Sequence, residues 1–269
     1  MANADRPLAL ITGASAGIGE AFARAYAARG FDLALTARRI DRLENLAAEL
    51  AQRHRIDVMA IPADLADRDA PALILDSIAQ ADRSIDVLVN NAGYGLPGDY
   101  VGTSWADQQK FLDVMVTAVC ALAHPCAIDM KRRGKGVIIN IASVAGLVPP
   151  GPGHTLYGAT KALVVRFSQS LNQELAGTGV HVTAVCPGLT WTEFHDVNGA
   201  RASMGKIPNS AYQTAEAVVE EALAASAANR PVIVTGKQNR FIVGLLRLMP
   251  EDLAMREVAK RSKAFRRRD

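Results

Sequence analysis

Tyr157 and Lys161 stand four residues apart, a spacing that puts two side chains on one face of a helix, one turn from each other. A lysine ammonium beside a phenol favours the phenolate. At roughly 5 Å and an effective dielectric of about 20, the attraction is about 3 kcal/mol, or roughly two pKa units. That brings a tyrosine from its reference of about 10 towards the range where it exchanges protons at neutral pH. Ser143 ends the strand-like run from Gly136 to Ala142 and can aim its hydroxyl at the same spot. A hydroxyl, a phenol and an ammonium converging there suit proton transfer to a carbonyl or from an alcohol. The Tyr–Lys pair alone is weak evidence, because five tyrosines and eight lysines in 269 residues produce it by chance roughly 0.15 times. It gains weight if the chain also holds something that exchanges a hydride.

The elements that would position such a group begin at the start of the chain. Pro7 to Thr12 reads as a short buried strand running directly into Gly13-Ala-Ser15-Ala-Gly17-Ile18-Gly19, followed by an alanine-rich helix from about Glu20 to Arg29. Gly13 permits the tight turn, Gly17 lets backbone approach a pyrophosphate, and Gly19 lets helix pack closely on strand. The helix start adds free N–H groups and a partial positive charge for the phosphates. Ser15 and Ile18 lie in the same turn and join the glycines as candidate cofactor contacts. The second strand, Phe31 to Thr36, leads into Ala37-Arg38-Arg39. An acidic side chain at this place holds the ribose hydroxyls of NAD; arginine instead accommodates the 2′-phosphate of NADP. NADP(H) is therefore expected over NAD(H). A helix from about Asp41 to His54 and a strand from Ile56 to Ile61 come next. Of the aspartates that follow, Asp67 is the better placed to cap a helix, which leaves Asp64 to accept from an adenine amino group. Ile85 to Asn90 reads as a fourth strand. Asn90-Asn91-Ala92-Gly93 then turns at its carboxyl end, where open α/β sheets bind ligands.

Taken together, Thr12-Gly13-x-x-x-Gly17-x-Gly19, Asp64, Asn90-Asn91-Ala92-Gly93, Ser143, Tyr157-x-x-x-Lys161 and Pro187-Gly188 resemble the short-chain dehydrogenase/reductase family over roughly residues 7 to 192. The resemblance implies one α/β domain over residues 1–269. Its fold would be a three-layer doubly wound Rossmann fold whose seven parallel strands run in the order 3-2-1-4-5-6-7. It implies Tyr157 as general acid/base, Ser143 as the group orienting the substrate oxygen, and Lys161 as partner of both the phenol and the nicotinamide ribose. Asn91, with Ala92 and Gly93, would line the ribose side, and Asp64 and Leu65 the adenine. The family carries an Asn midway along the helix after strand four, at a backbone distortion that helps hold a water for a proton relay. Here that position is Met115, and a thioether cannot replace an amide donor and acceptor. Ser143 and Tyr157 are 14 residues apart, one more than is common in the family, and the loop from Pro149 to Gly153 absorbs the extra residue. Met115 motivates an alternative: a nucleotide-binding or regulatory protein on the same scaffold with weak or no redox activity.

The rest of the chain continues the pattern. A helix is expected from about Tyr157 to Ala176, a strand from Val180 to Cys186, a helix from about Thr214 to Ala228 and a last strand from Arg230 to Thr235. After Pro187-Gly188, Thr190 or Thr192 would bond the nicotinamide carboxamide, and residues 193–212 read as a lid. A basic helical extension is expected at about 237–269, with an apolar run from Phe241 to Met249. Three roles fit that run, in this order: covering the pocket, joining a subunit interface, or making peripheral contact with a membrane surface. Segments that would meet substrate are mostly apolar or neutral, pointing to an uncharged, hydrophobic alcohol or ketone. The resemblance implies a homodimer or homotetramer.

Composition excludes other classes. Hydrophobic residues make up 49% with only 5% aromatic, which suits helices packed on a parallel sheet. The N-terminus has no apolar signal core and no run of 18 apolar residues occurs, so no transmembrane segment and a cytoplasmic location are expected. Cys120, Cys126 and Cys186 lack metal or disulfide spacing and the five histidines are scattered, so no metal site is expected. Residues 256–269 hold seven basic and two acidic side chains with a single aromatic, Phe265, which suits a solvated helix end better than contact with nucleic acid or anionic lipid.

Overall fold

A computed structural model of the chain describes residues 6–96, 99–153, 155–192 and 212–262. Seven parallel strands form one sheet in the order β3-β2-β1-β4-β5-β6-β7, as expected. They are β1 Leu8–Thr12, β2 Asp32–Ala37, β3 Val58–Pro62, β4 Ile85–Asn90, β5 Gly136–Ile141, β6 Val180–Cys186 and β7 Val232–Val234. The crossovers carry α1 Gly17–Ala27, α2 Ile40–His54, α3 Ala70–Gln80, α4 Trp105–Leu112, α5 Ala118–Arg133, α6 Thr155–Glu174 and α7 Ala215–Ala227. A π-helical turn, Asp113–Thr117, joins α4 to α5. Beyond β7 come α8 Lys237–Leu248 and α9 Glu251–Ser262.

The central strands are apolar on both faces because helices cover both. Alternate residues point to opposite sides. Ile11, Leu35 and Val89 pack with Phe22 of α1, Leu43 of α2 and Val218 of α7. Leu10, Leu88 and Ile138 pack with Ile74 of α3 and Leu122 of α5 on the other face. The long run Trp105–Arg133 is apolar and long enough to cross a membrane by length and composition. Its most apolar stretch is 56% buried in the fold, with Leu122, Ala123 and Met130 in the core beneath the sheet, so it serves as a core helix.

Some local expectations change. Asp67 does not cap α3. The cap position is Asp69, whose side chain makes no capping bond, while Asp67 Oδ1 accepts from the Asp69 N–H at 3.0 Å. Pro71 in the first turn has already removed one of the N–H groups that a cap would satisfy. The last strand is only three residues long. The proposed lid at 193–212 lies outside the described residues except for Tyr212, whose ring stacks on Trp191 at 4.2 Å.

Candidate active site

The crossovers from β1 and β4 leave in opposite directions, so a crevice opens at their carboxyl ends. Side-chain hydrogen bonds lace the two strand ends together. Asn91 Nδ2 donates to the Thr12 and Gly13 carbonyls at 2.9 and 3.3 Å, and the N–H groups of Asn91 and Ala92 both donate to Thr12 Oγ1 at 2.9 Å. Gly13 and Gly17 have φ of 66° and 59°, the left-handed region that glycine adopts without strain. A Cβ on Gly13 would come within 2.9 Å of the Ala92 Cα, and one on Gly19 within 2.3 Å of the Gly13 carbonyl oxygen. The residue preceding α1 is Ala16, which supplies no side-chain cap. A glycine cradle that a Cβ would fill, under a helix start whose Ala16 offers no capping side chain, fits the pyrophosphate of a dinucleotide.

The flanking candidates divide. Arg38 and Arg39 are exposed at the end of β2. Arg39 reaches back over the glycine turn, donating from Nε and a terminal nitrogen to Ser15 Oγ at 3.3 and 3.2 Å. Asp64 is exposed, and one of its oxygens accepts from the Ala66 N–H at 3.1 Å. Leu65, next to it, packs its side chain into the core. Thr192 lies across the glycine turn, where a Cβ on Gly17 would come within 2.9 Å of its methyl group. Thr190 is buried and its hydroxyl donates to the Gly188 carbonyl at 3.2 Å, closing its own turn. Pro187 accepts from the Val144 N–H at 2.9 Å, which ties this turn to the segment carrying Ser143.

Ser143 follows β5 in extended conformation, and its Oγ accepts from the Ala145 N–H at 3.1 Å. Its side chain hydrogen-bonds the Tyr157 phenol. Lys161, 6% exposed, donates from Nζ to the Ile141 carbonyl at 2.7 Å and lies 5.8 Å from the centre of the Tyr157 ring. The three groups expected to converge do so. Their electrostatics differ from the expectation. Crowding around the Tyr157 hydroxyl pushes the phenol above its usual value, and the Ser143 hydrogen bond offsets only part of this. Burial also lowers the Lys161 ammonium to about 8, with a smaller opposing contribution from Cys186. Taking a charge out of water pushes each group towards its neutral form. In the free protein the phenol therefore keeps its proton at neutral pH.

Met115 is buried in the middle of the π-helical turn. A Cβ on Gly93 would meet Met115 Sδ at 3.0 Å and Lys161 Nζ at 3.8 Å, so thioether and ammonium flank the same glycine. The turn is pinned by Asp113 Oδ1, which accepts from Arg68 Nε at 3.0 Å and from Gln109 and Thr117 at 3.4 Å. A narrow cavity beside Tyr157 has a mixed lining, with Leu96, Phe111 and Leu156 on its apolar side and Thr103, Gln108 and Thr155 on its polar side.

Sequence reasoning missed three supports. Asn90 Nδ2 donates to Asn140 Oδ1, and Asn140 Nδ2 to Ser168 Oγ, both at 2.9 Å, which stitches β4, β5 and α6 beneath the site. An Asn inside the apolar run Gly136–Ile141 was the available signal. Asn239 of α8 packs so closely on Gly188 that a Cβ there would come within 2.4 Å of its amide oxygen. Among the described residues no cluster of His, Cys, Asp or Glu could hold a metal ion.

The depressed Lys161 pKa makes stability depend on pH. Below about 8 the ammonium is charged in both states, and its burial penalty is fully present. Between about 8 and its ordinary value of 10.5 the unfolded chain binds more protons than the folded one, so stability rises with pH. Urea unfolding of the cofactor-free protein should show a rise on the order of 3 kcal/mol across that window, and Lys161→Met should flatten it. Equal slopes in the two proteins would remove Lys161 as the cause.

The chain matches the family model described as short chain dehydrogenase over residues 7–202. Nodulation protein G of Rhizobium sp. (strain N33) is 42% identical over 233 residues, covering 85% of this chain and 92% of that one. A short-chain dehydrogenase from Sphingobium yanoikuyae in complex with NADPH superposes with a TM-score of 0.79 at 34% identity, covering 91% of this chain and 96% of that one. A short-chain dehydrogenase/reductase from Burkholderia phymatum in complex with NAD superposes with a TM-score of 0.82 at 27% identity, covering 94% and 96%. A glycine cradle at the β1–β4 crevice and a Ser–Tyr–Lys convergence at its rim, in a chain matched by that model over most of its length, make this protein a member of the short-chain dehydrogenase/reductase family.

Proposed function

We propose that the chain is an NADP(H)-dependent oxidoreductase that interconverts an alcohol and a carbonyl on an uncharged, hydrophobic substrate. The observation that carries the reading is the Tyr157 phenol, hydrogen-bonded to Ser143 above the buried Lys161 and facing a cavity with Leu96, Phe111 and Leu156 in its wall. Bound NADPH would supply the hydride. Tyr157 then gives its proton to the substrate oxygen as negative charge develops there, and Ser143 holds that oxygen by a hydrogen bond. The elevated phenol pKa suits the reductive direction, because the proton to be donated is present at neutral pH. Lys161, charged below about 8, stabilises the phenolate left behind. Leu96, Phe111 and Leu156 supply apolar contacts for the substrate, and Thr103, Gln108 and Thr155 line the same cavity.

NADP(H) is favoured over NAD(H) by Arg38 and Arg39, with Arg39 already anchored on Ser15 beside the turn that would take the pyrophosphate. The NADPH complex among the structural relatives supports this, and the NAD complex shows that the scaffold accommodates either cofactor. A cytoplasmic enzyme assembled as a dimer or tetramer completes the reading. Met115 favours a second one, a binding protein with little redox activity, since its sulfur occupies the π-helical turn next to Lys161.

Two measurements test these assignments. Tyr157→Phe should lower carbonyl-dependent NADPH oxidation by about a thousandfold while leaving the NADPH dissociation constant within about threefold. Retained turnover would remove Tyr157 from the mechanism, whereas a wild-type protein that shifts NADPH fluorescence yet oxidises it with no carbonyl in a broad panel would select the second reading. Replacing both Arg38 and Arg39 by Ala should raise KM for NADPH by about ten- to a hundredfold and leave that for NADH within about twofold. An equal loss with both cofactors would show that the arginines do not read the 2′-phosphate.

A further inference from the structure

Among the described residues, the C-terminal helices leave an apolar face uncovered. Val243 faces inward on α8, 3% exposed, while Phe241, Ile242, Leu245 and Leu248 stand out at 72, 40, 50 and 86% exposure. Positions 241, 245 and 248 share one side of the helix, with 242 on its flank. On α9, Ala254 packs inward, and Leu253 and Met255 are exposed. Isolated exposed apolar residues need no explanation, but a continuous helical stripe does. At its amino-terminal end Lys237 and Gln238 join Phe241 and Ile242 around an open groove of about 380 Å³.

Charge identifies the occupant. Residues 237–269 carry a net charge of +6, whereas the preceding 236 residues sum to −3. Lys237, Arg247 and Arg256 are without an ion pair among the described residues; Arg240 is held by Glu221 and Lys260 by Glu257, and Glu251 and Asp252 stand in the first turn of α9. We propose that α8 and α9 form a docking surface for an anionic lipid bilayer, with Phe241, Leu245 and Leu248 entering the headgroup–acyl boundary and Lys237 and Arg247 meeting lipid phosphates. A second copy of the chain fits less well, because a two-fold contact through this face would bring two basic segments of like charge together. The location of the enzyme is then peripheral to a membrane and reversible with ionic strength.

Cosedimentation of the full chain with vesicles tests the surface. The protein should partition onto vesicles of equal parts phosphatidylglycerol and phosphatidylcholine, fall off on raising salt, and bind pure phosphatidylcholine at least about tenfold more weakly. Phe241→Ser with Leu245→Ser should reduce partitioning by at least about tenfold, as should Lys237→Gln with Arg247→Gln, with far-UV circular dichroism unchanged. Equal binding to neutral and anionic vesicles, or none to either, would overturn the proposal. So would a concentration-dependent self-association in the absence of lipid that the Phe241→Ser, Leu245→Ser variant abolishes, since that would assign the face to another copy of the chain.

Discussion

Two oxygen atoms of Thr12 and the amide of Asn91 hold the ends of β1 and β4 in register, and the remainder of the site is measured from that lacing. The Thr12 hydroxyl takes two backbone N–H groups and its carbonyl takes the Asn91 side chain, so the donors at the β4 end are satisfied without a partner strand beyond them. With the ends fixed, Gly13 and Gly19 pack at distances that no Cβ permits. The helix start then faces a crevice of fixed width. Loosening this contact would shift the cradle and the Ser143–Tyr157 rim relative to each other, since β4 also positions β5, whose end leads into Ser143.

A second buried layer supports the rim. Asn90, Asn140 and Ser168 run as a hydrogen-bonded chain through an otherwise apolar interior. Buried amides are tolerated when their polar atoms find partners, and such a chain then favours one arrangement of strand against helix. It orients α6, whose first turn carries Tyr157 and whose second carries Lys161. The Lys161 ammonium is then led by its bond to the Ile141 carbonyl into a space closed by Gly93 and Met115. Close packing at Gly146 against the Lys161 backbone prevents the helix from sliding.

The same enclosure explains why the free site differs electrostatically from a simple pair of opposite charges. Proximity alone argues for an acidified phenol. Removal from water acts on both groups and in the direction of neutrality for each, which leaves a protonated tyrosine over a weakened ammonium. A Met at the π-helical turn adds to this dryness, because sulfur neither hydrates nor bonds the ammonium as an amide would. Chemistry that begins by donating a proton suits these conditions better than chemistry that begins by accepting one.

The sequence by itself determined the alternation of strand and helix, the glycine turn, and the positions of Ser143, Tyr157 and Lys161. These depend on local physics: apolar runs of strand length, glycines where φ must be positive, and a four-residue helical spacing. The strand order followed from family resemblance. Tertiary structure decided how far each group is removed from water, and hence the protonation of Tyr157 and Lys161. It also turned Leu65 into the core, committed the Thr190 hydroxyl to Gly188, and brought Asn239 from the far end of the chain onto the Pro187–Gly188 turn. None of these has a local signature. Burial and hydrogen-bond partners are set by segments tens of residues apart, and a linear pattern does not record which of them meet.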